Sequence, residues 1–180
     1  MSYQAYLAAE EHAAEKHEWV NGEVFAMAGG TVEHARLQMA VGATLLAQLR
    51  GRPCVVLSSD ARVRVGATGL STYPDVSVVC GKVETAEPDP HGVLNPVVIV
   101  EVLSDGTEAY DRGEKFAHYR RLESLREYVL VSQRGPRIEV FRREEGGWTL
   151  HEWGPGETAH LASVDAALAV DEVYRDPLAP

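Results

Sequence analysis

Cysteine is nearly missing from this chain. Cys54 and Cys80 are the only two, and they form no C-x-x-C. This argues against a disulfide-built scaffold and a cysteine-rich zinc module. No apolar run is long enough to span a bilayer, so no membrane partner is expected. The start of the chain, "MSYQAYLAAEEHAAEKHEW", lacks a basic region followed by an apolar core. It therefore does not read as a signal peptide, and a cytoplasmic location is the default expectation. Basic charge is also scarce. Seventeen Lys/Arg stand against 27 Asp/Glu, a net charge of −10. Taken alone, that argues against nucleic acid as a partner. Internal repeats, low-complexity tracts and linkers are absent too.

What remains is an ordinary globular composition, 45% hydrophobic and 24% charged. A length of 180 residues fits one domain spanning 1–180 with a sizeable core. The charge is unevenly spread. Residues 112 to 143 hold nine Lys/Arg against four Asp/Glu. Either this basic segment is a solvated surface or it meets an anionic partner.

Patterning predicts a helix over residues 3–19, rich in Ala and Glu. Asn21-Gly22 between short β-prone runs predicts a hairpin. Residues 31–50 give the clearest helix, with Thr31 as N-cap, Leu37, Val41 and Leu45 at helical spacing, and Gly51 after the end. "CVVLSSDARVRV" reads as one strand, "GATGLSTY" as a loop and "PDVSVVCG" as a short buried strand. "ETAEPDPHGVLNP" is a loop, and "VVIVEVLS" is another buried strand. Residues 108–125 predict a helix with a weak point at Gly113. "REYVLVSQ" and "RIEVFRRE" are strands, and "GGWTLHEWGPG" is an edge strand and turn. The tail from Ala162 to Pro177 offers only a short strand or helical turn. The order suggests an α/β fold, a mixed sheet with helices on its faces.

Three residues interrupt this pattern. Asp75 follows Pro74 at the start of a buried-type strand. Glu101 lies inside the apolar run "VVIVEVLS". Lys115 falls four residues before Tyr119 and seven before Leu122, on the helix face expected to meet the sheet. Two carboxylates on neighbouring strands repel each other unless a cation offsets them. Mg²⁺, held by one or two carboxylates plus water and substrate phosphate, does this well. Lys115 would then position or activate the attacking water, or stabilise charge on a phosphate. The structural alternatives stay open: Asp75 as a turn cap, and Glu101 with Lys115 as a buried ion pair.

The stretches "STYPDVSVVCG", "VVIVEVLSDGTEAYDRGEKFAHYRRLESLREYVLVSQ" and "IEVFRREEGGW" resemble the Uma2 family, also called DUF820. That family lies within the PD-(D/E)XK nuclease superfamily. The resemblance runs from about Tyr3 to the C-terminus and is most specific over "EVLSDGTEAYDRGEKFAHYRRL". It implies a restriction-endonuclease-like core, a central mixed sheet flanked by helices, and Mg²⁺-dependent cleavage of DNA. Mn²⁺ is the expected substitute metal. Asp75 matches the motif aspartate and Glu101 the second acidic residue. The superfamily's lysine falls two residues after that glutamate, where this chain has Leu103. Lys115 matches a helix lysine that resembles a relocated catalytic group. His34 matches a histidine after the "MAGG" stretch. Its own position, three residues before Leu37, is compatible with a core histidine or with support of the metal site from behind. Asp60 ranks below His34 as a neighbour of the site, and Glu23 below Asp60.

The sequence thus reads first as a DNA endonuclease with catalytic Asp75, Glu101 and Lys115, of which Asp75 and Glu101 bind metal. A homodimer is expected, since a symmetric pair is suited to cutting both strands of a duplex. Two other readings remain: a nuclease fold kept as a binding or assembly module, and a metal-dependent hydrolase of another phosphate ester. Fold alone does not choose among them.

Overall fold

The computed structural model describes residues 1–180 except Ala28, Pro177, Ala179 and Pro180. The predicted hairpin stretch and tail lie outside that description at Ala28 and Pro177.

Helix α1 (Tyr3–Glu10) begins at Ser2, whose hydroxyl accepts the Ala5 amide at 3.2 Å. It stops far short of the helix expected to reach Trp19. Glu10 Oε1 accepts the His17 amide at 2.9 Å, and strand β1 (His17–Val20) follows. Tertiary packing overrides Ala/Glu propensity here. Trp19 is buried, and its indole N–H donates to the Met1 carbonyl at 3.0 Å. The expected hairpin forms between β1 and β2 (Glu23–Ala26). Asn21 (φ 52°) and Gly22 (φ 101°) both take the left-handed backbone that a two-residue hairpin turn requires.

Helix α2 (Val32–Gln48) starts as predicted, with Thr31 Oγ1 accepting the His34 amide at 3.0 Å. Its Leu37, Val41 and Leu45 are fully buried. The expected single strand over 54–65 is two strands in different sheets. β3 (Cys54–Ser58) ends at a turn in which the Ala61 amide donates to the Ser58 carbonyl, and β4 (Arg62–Val65) follows. After a 3₁₀ turn at Gly66–Thr68, the expected loop contains a buried strand, β5 (Leu70–Thr72), held between β1 and β4. β6 (Val76–Cys80), a two-residue β7 (Gly92–Val93) and β8 (Val98–Val102) come next.

The helix expected after β8 is broken into α3 (Glu108–Tyr110), a π-helical turn (Asp111–Lys115) and α4 (Phe116–Tyr119). The π turn is centred on Gly113. β9 (Glu127–Val131), β10 (Ile138–Glu144) and β11 (Gly147–Trp153) follow, then a ribbon of β12 (Thr158–Leu161) and β13 (Ala166–Ala169), then α5 (Val170–Val173). β12 was not foreseen. Its four residues offer little pattern of their own, and they are ordered by pairing with β13.

The strands form a six-stranded mixed sheet, β11-β10-β9-β8-β6-β3, and a five-stranded sheet, β2-β1-β5-β4-β7. In the larger sheet β8 runs parallel to β9 and antiparallel to β6. Its two faces bury different cores. Val78, Val98 and Val100 pack with α2 residues on one side, while Ile99, Leu130 and Tyr128 pack with Tyr119 and Leu122 on the other. Cys54 and Cys80 sit opposite each other across β3 and β6 and are joined by a disulfide. One bond between strands already paired is no scaffold. The two apolar layers hold the fold.

Leu45 tests that assignment. Leu45→Ala should cost about 2–5 kcal/mol in urea unfolding, the range for emptying a fully buried leucine site. A loss within about 0.5 kcal/mol, the usual range for a surface substitution, would mean that α2 does not close the core.

Candidate active site

The site grows out of the β6–β8 ladder. Val76 stands opposite Val100 in that antiparallel pair. One step along the same register sets Asp75 opposite Glu101, and directly opposite residues share a sheet face. The Asp75 backbone is held by Gln38, whose side-chain amide donates to its carbonyl at 2.9 Å. Its carboxylate oxygen Oδ2 accepts the Val102 amide at 2.7 Å and lies 3.2 Å from His34 Nε2. α2 thus contributes two residues that fix Asp75 where β6 begins.

Glu101 is 4% exposed in the middle of the sheet. Its Oε1 accepts the Tyr119 hydroxyl at 2.9 Å and lies 2.9 Å from Lys115 Nζ. Lys115, 5% exposed, is also 3.5 Å from Asp111 Oδ1. Asp111 and Lys115, the two ends of "DRGEK", are both buried, and their four-residue spacing keeps them on one side of the π turn. The Tyr128 hydroxyl donates to the Asp111 carbonyl at 3.0 Å. Such turns recur at functional sites.

These groups open on a cleft of about 240 Å³ bounded also by Glu18, Tyr73 and Tyr110. Its electrostatics are unbalanced. Burial pushes the Glu101 carboxyl up to about 8; Lys115 opposes the shift, while Asp75 and Asp111 add to it. Asp111 is raised as well, chiefly by burial, with Lys115 again opposing. His34 is raised by its hydrogen bond to Asp75, against burial. Burial alone would lower Lys115, but Glu101 and Asp111 outweigh it, so the ammonium stays charged. Four carboxylates, Glu18, Asp75, Glu101 and Asp111, therefore line the cleft with one lysine and one histidine.

Asp75, Glu101, Lys115 and His34 line the cleft together. Asp60 does not join them; its side chain is 84% exposed and pairs with Lys16 at 2.6 Å. Glu23 is exposed on β2. Sequence reasoning missed Asp111, although its spacing of four residues before Lys115 was a usable signal. It also missed Glu18, which lay in a stretch read as helix and which arrives through β1. Leu103, where the superfamily lysine would fall, is a buried core residue on the Tyr119 side.

A divalent cation suits this donor set. Among the described residues, no three His, Cys, Asp or Glu groups stand close enough to hold a metal unaided. Mg²⁺ asks for less, being held by one or two carboxylates with water and phosphate completing the shell. Asp75 and Glu101 would supply those carboxylates, and a cation beside Glu101 would oppose the upward shift that burial, with Asp75 and Asp111 adding to it, imposes on its carboxyl.

The fold is shared with a solved structure. A putative nuclease belonging to DUF820 from Anabaena variabilis superposes with a TM-score of 0.76 over 97% of each chain, at 14% identity. The two chains thus share one architecture, a mixed α/β core with helices flanking the large sheet. Residues 3–171 match the Uma2 family model, described as "Putative restriction endonuclease", and the chain belongs to that family. Two uncharacterized proteins of Synechocystis sp. are similar. One, slr1290, is 34% identical over 97% of this chain and 92% of its own length. The other, sll1609, is 32% identical over 87% of this chain and 88% of its own.

The raised Glu101 carboxyl has a measurable consequence for the metal-free protein. The folded-state value, about 8, lies above the ordinary 4.5. The folded protein then binds the proton more tightly than the unfolded chain. This contribution to stability is complete below the ordinary value and is lost as pH rises through about 8. Urea unfolding in EDTA between those limits should show wild type losing stability more steeply than Glu101→Gln. At the alkaline end the variant should match or exceed wild type. A loss of roughly 3–5 kcal/mol for the variant at every pH, as when a buried structural pair is broken, would contradict this.

Proposed function

We propose that this protein, one unit over residues 1–180, is a Mg²⁺-dependent endonuclease hydrolysing DNA phosphodiester bonds. The observation that carries the reading is the convergence of Asp75, Glu101 and Lys115 on one cleft whose carboxylates outnumber its cations. Membership of a family described as "Putative restriction endonuclease" supports it.

Asp75 and Glu101 would hold the metal, with Mn²⁺ as a substitute. Bound there, Mg²⁺ would supply Lewis-acid polarisation of a phosphate oxygen and a lowered pKa for water. The remaining work falls to side chains. His34 orients Asp75 through the 3.2 Å contact, and the Val102 amide fixes the same oxygen. Tyr119 anchors Glu101 from the core side. Lys115 stays protonated, so its task is to stabilise charge on the phosphate or orient the attacking water, and not to accept a proton. Asp111 keeps the ammonium aimed by sharing it with Glu101.

A homodimer would present two clefts to the two strands of a duplex. A DNA substrate also implies a cytoplasmic setting. Disulfides are rare there, and the β3–β6 ladder is complete without the Cys54–Cys80 bond. Among the described residues, no helix is long and apolar enough to cross a membrane. One feature favours a second reading, an inactive binding or assembly module. The Glu101 and Lys115 charges already satisfy each other.

Plasmid nicking separates the two. With Mg²⁺, wild type should nick and EDTA should stop it. Lys115→Met keeps the side-chain length, and Glu101 can protonate to tolerate the loss. This variant should fold and nick about 10²–10³-fold more slowly, the effect of removing one preorganised electrostatic donor. A folded variant that nicks at the wild-type rate would remove Lys115 from the reaction. A wild type inert with Mg²⁺ and Mn²⁺ would favour the module.

A further inference from the structure

A second, larger concavity lies at the other end of the six-stranded sheet. It measures about 1020 Å³ and is lined by Val97 where β8 begins, Arg126 beside β9, Arg142 and Arg143 on β10, Arg121 and Arg64. Glu101 and Val102 bound the acidic cleft at the far end of the same strand. Four residues of extended chain separate Val97 from Glu101, roughly 13 Å. The two concavities are therefore distinct.

The groove is basic in a protein that is acidic as a whole. Five arginines line it against three glutamates. Glu127 offsets Arg142, with which it pairs at 3.0 Å, and leaves the other arginines of the groove untouched. It is 1% exposed, and its oxygens accept from Arg142, the Ala162 amide, and the Ser163 amide and hydroxyl. Arg121 and Arg126 are exposed and, among the described residues, make no ion pair although acidic residues are plentiful.

Arg143 is built in firmly. Its guanidinium donates to the carbonyls of Leu125 (2.8 Å), Arg120 (2.9 Å) and Leu122 (2.7 Å), and it lies 4.6 Å from the centre of the Trp148 ring. Burial lowers its pKa and the nearby Arg126 lowers it further, with Glu123 opposing both. Holding like charges together costs free energy without an anion between them. The three carbonyls offset that cost for Arg143, while Arg121 and Arg126 are left for a ligand.

We propose that this groove binds the phosphate backbone of a nucleic acid. Guanidinium forks match phosphate oxygens in pairs. Screening confines surface fields to about 8 Å at physiological ionic strength, so the local arginines matter more than the net charge. The inference extends the nuclease reading by giving the substrate a second hold remote from the acidic cleft, but its test needs no cleavage.

The experiment is fluorescence anisotropy with a labelled 20-nucleotide single strand and the matching duplex, in EDTA, across a salt series. The full-length protein is compared with the Arg121→Ala/Arg126→Ala double variant and with Asp60→Asn. Binding should weaken with salt. The arginine variant should lose at least tenfold in affinity, and its slope of log K against log salt should fall by about 2, close to the expected 0.9 for each phosphate that is no longer neutralised. Its thermal melt should be unchanged, and Asp60→Asn, which removes an exposed carboxylate outside both concavities, should bind as wild type. No binding by wild type, or an arginine variant that binds equally well, overturns the proposal. Displacement of the strand by millimolar inorganic phosphate would also overturn it, since that marks a small-anion site. If Asp75 and Lys115 prove irrelevant to nicking while the arginine variant still loses binding, the groove stands and the nuclease reading falls alone.

Discussion

The ion pair between Glu101 and Lys115 is the constraint around which this part of the molecule is arranged. A carboxylate in the middle of a sheet needs a partner that reaches it without opening the core to water. The lysine comes from a helix packed on that face, and a π turn aims it. Tyr119, one turn further on, supplies the hydroxyl that completes the Glu101 contacts on the apolar side. The arrangement is more negative than structure alone requires. One ammonium is shared by Glu101 and Asp111, Asp75 stands across the ladder, and both neighbouring carboxylates add to the upward shift that burial imposes on Glu101. A purely structural pair has no use for the additional carboxylates. A cation-binding cleft does.

Much of this was legible in the residues. β6 and β8 announce themselves as apolar β-branched runs, and Glu101 is conspicuous because it breaks one. α2 carries its apolar stripe and its Thr31 cap, and Asn21-Gly22 marks its hairpin. Lys115 could be assigned to the buried face because Tyr119 and Leu122 follow at helical spacing. The failures have physical causes too. "CVVLSSDARVRV" reads as one strand because alternation reports burial on a face and not which sheet owns it. β5 hides in a Gly- and Ser-containing stretch and is ordered by β1 and β4 on either side. The 3–19 helix is cut short because burying Trp19 in a sheet outweighs Ala and Glu propensity. Asp111 was passed over although helical spacing, four residues before Lys115, already places it on the lysine's face.

The two ends of the large sheet have opposite electrostatic characters. The end near Glu101 gathers carboxylates around one lysine, while the end near Val97 gathers five arginines, of which Arg142 is paired with Glu127 and Arg121 and Arg126, among the described residues, make no ion pair. The basic bias of residues 112–143 is thus not spread evenly over a solvated face. Part of it, Arg112 with Glu139 and Lys115 with Glu101, is used up inside the fold. Another part, Arg121, Arg126 and Arg143, converges on the groove. The net charge of −10 is a poor guide to partners when charge is sorted in this way.

The central claim is that Asp75 and Glu101 share a cation. Anomalous diffraction from a crystal soaked in Mn²⁺ tests it most directly. The account predicts one strong peak between the two carboxylates, with Lys115 still directed into the same cleft. A soaked crystal with no peak there, and with Glu101 still closed on Lys115, would show that the pair is structural and would contradict the account.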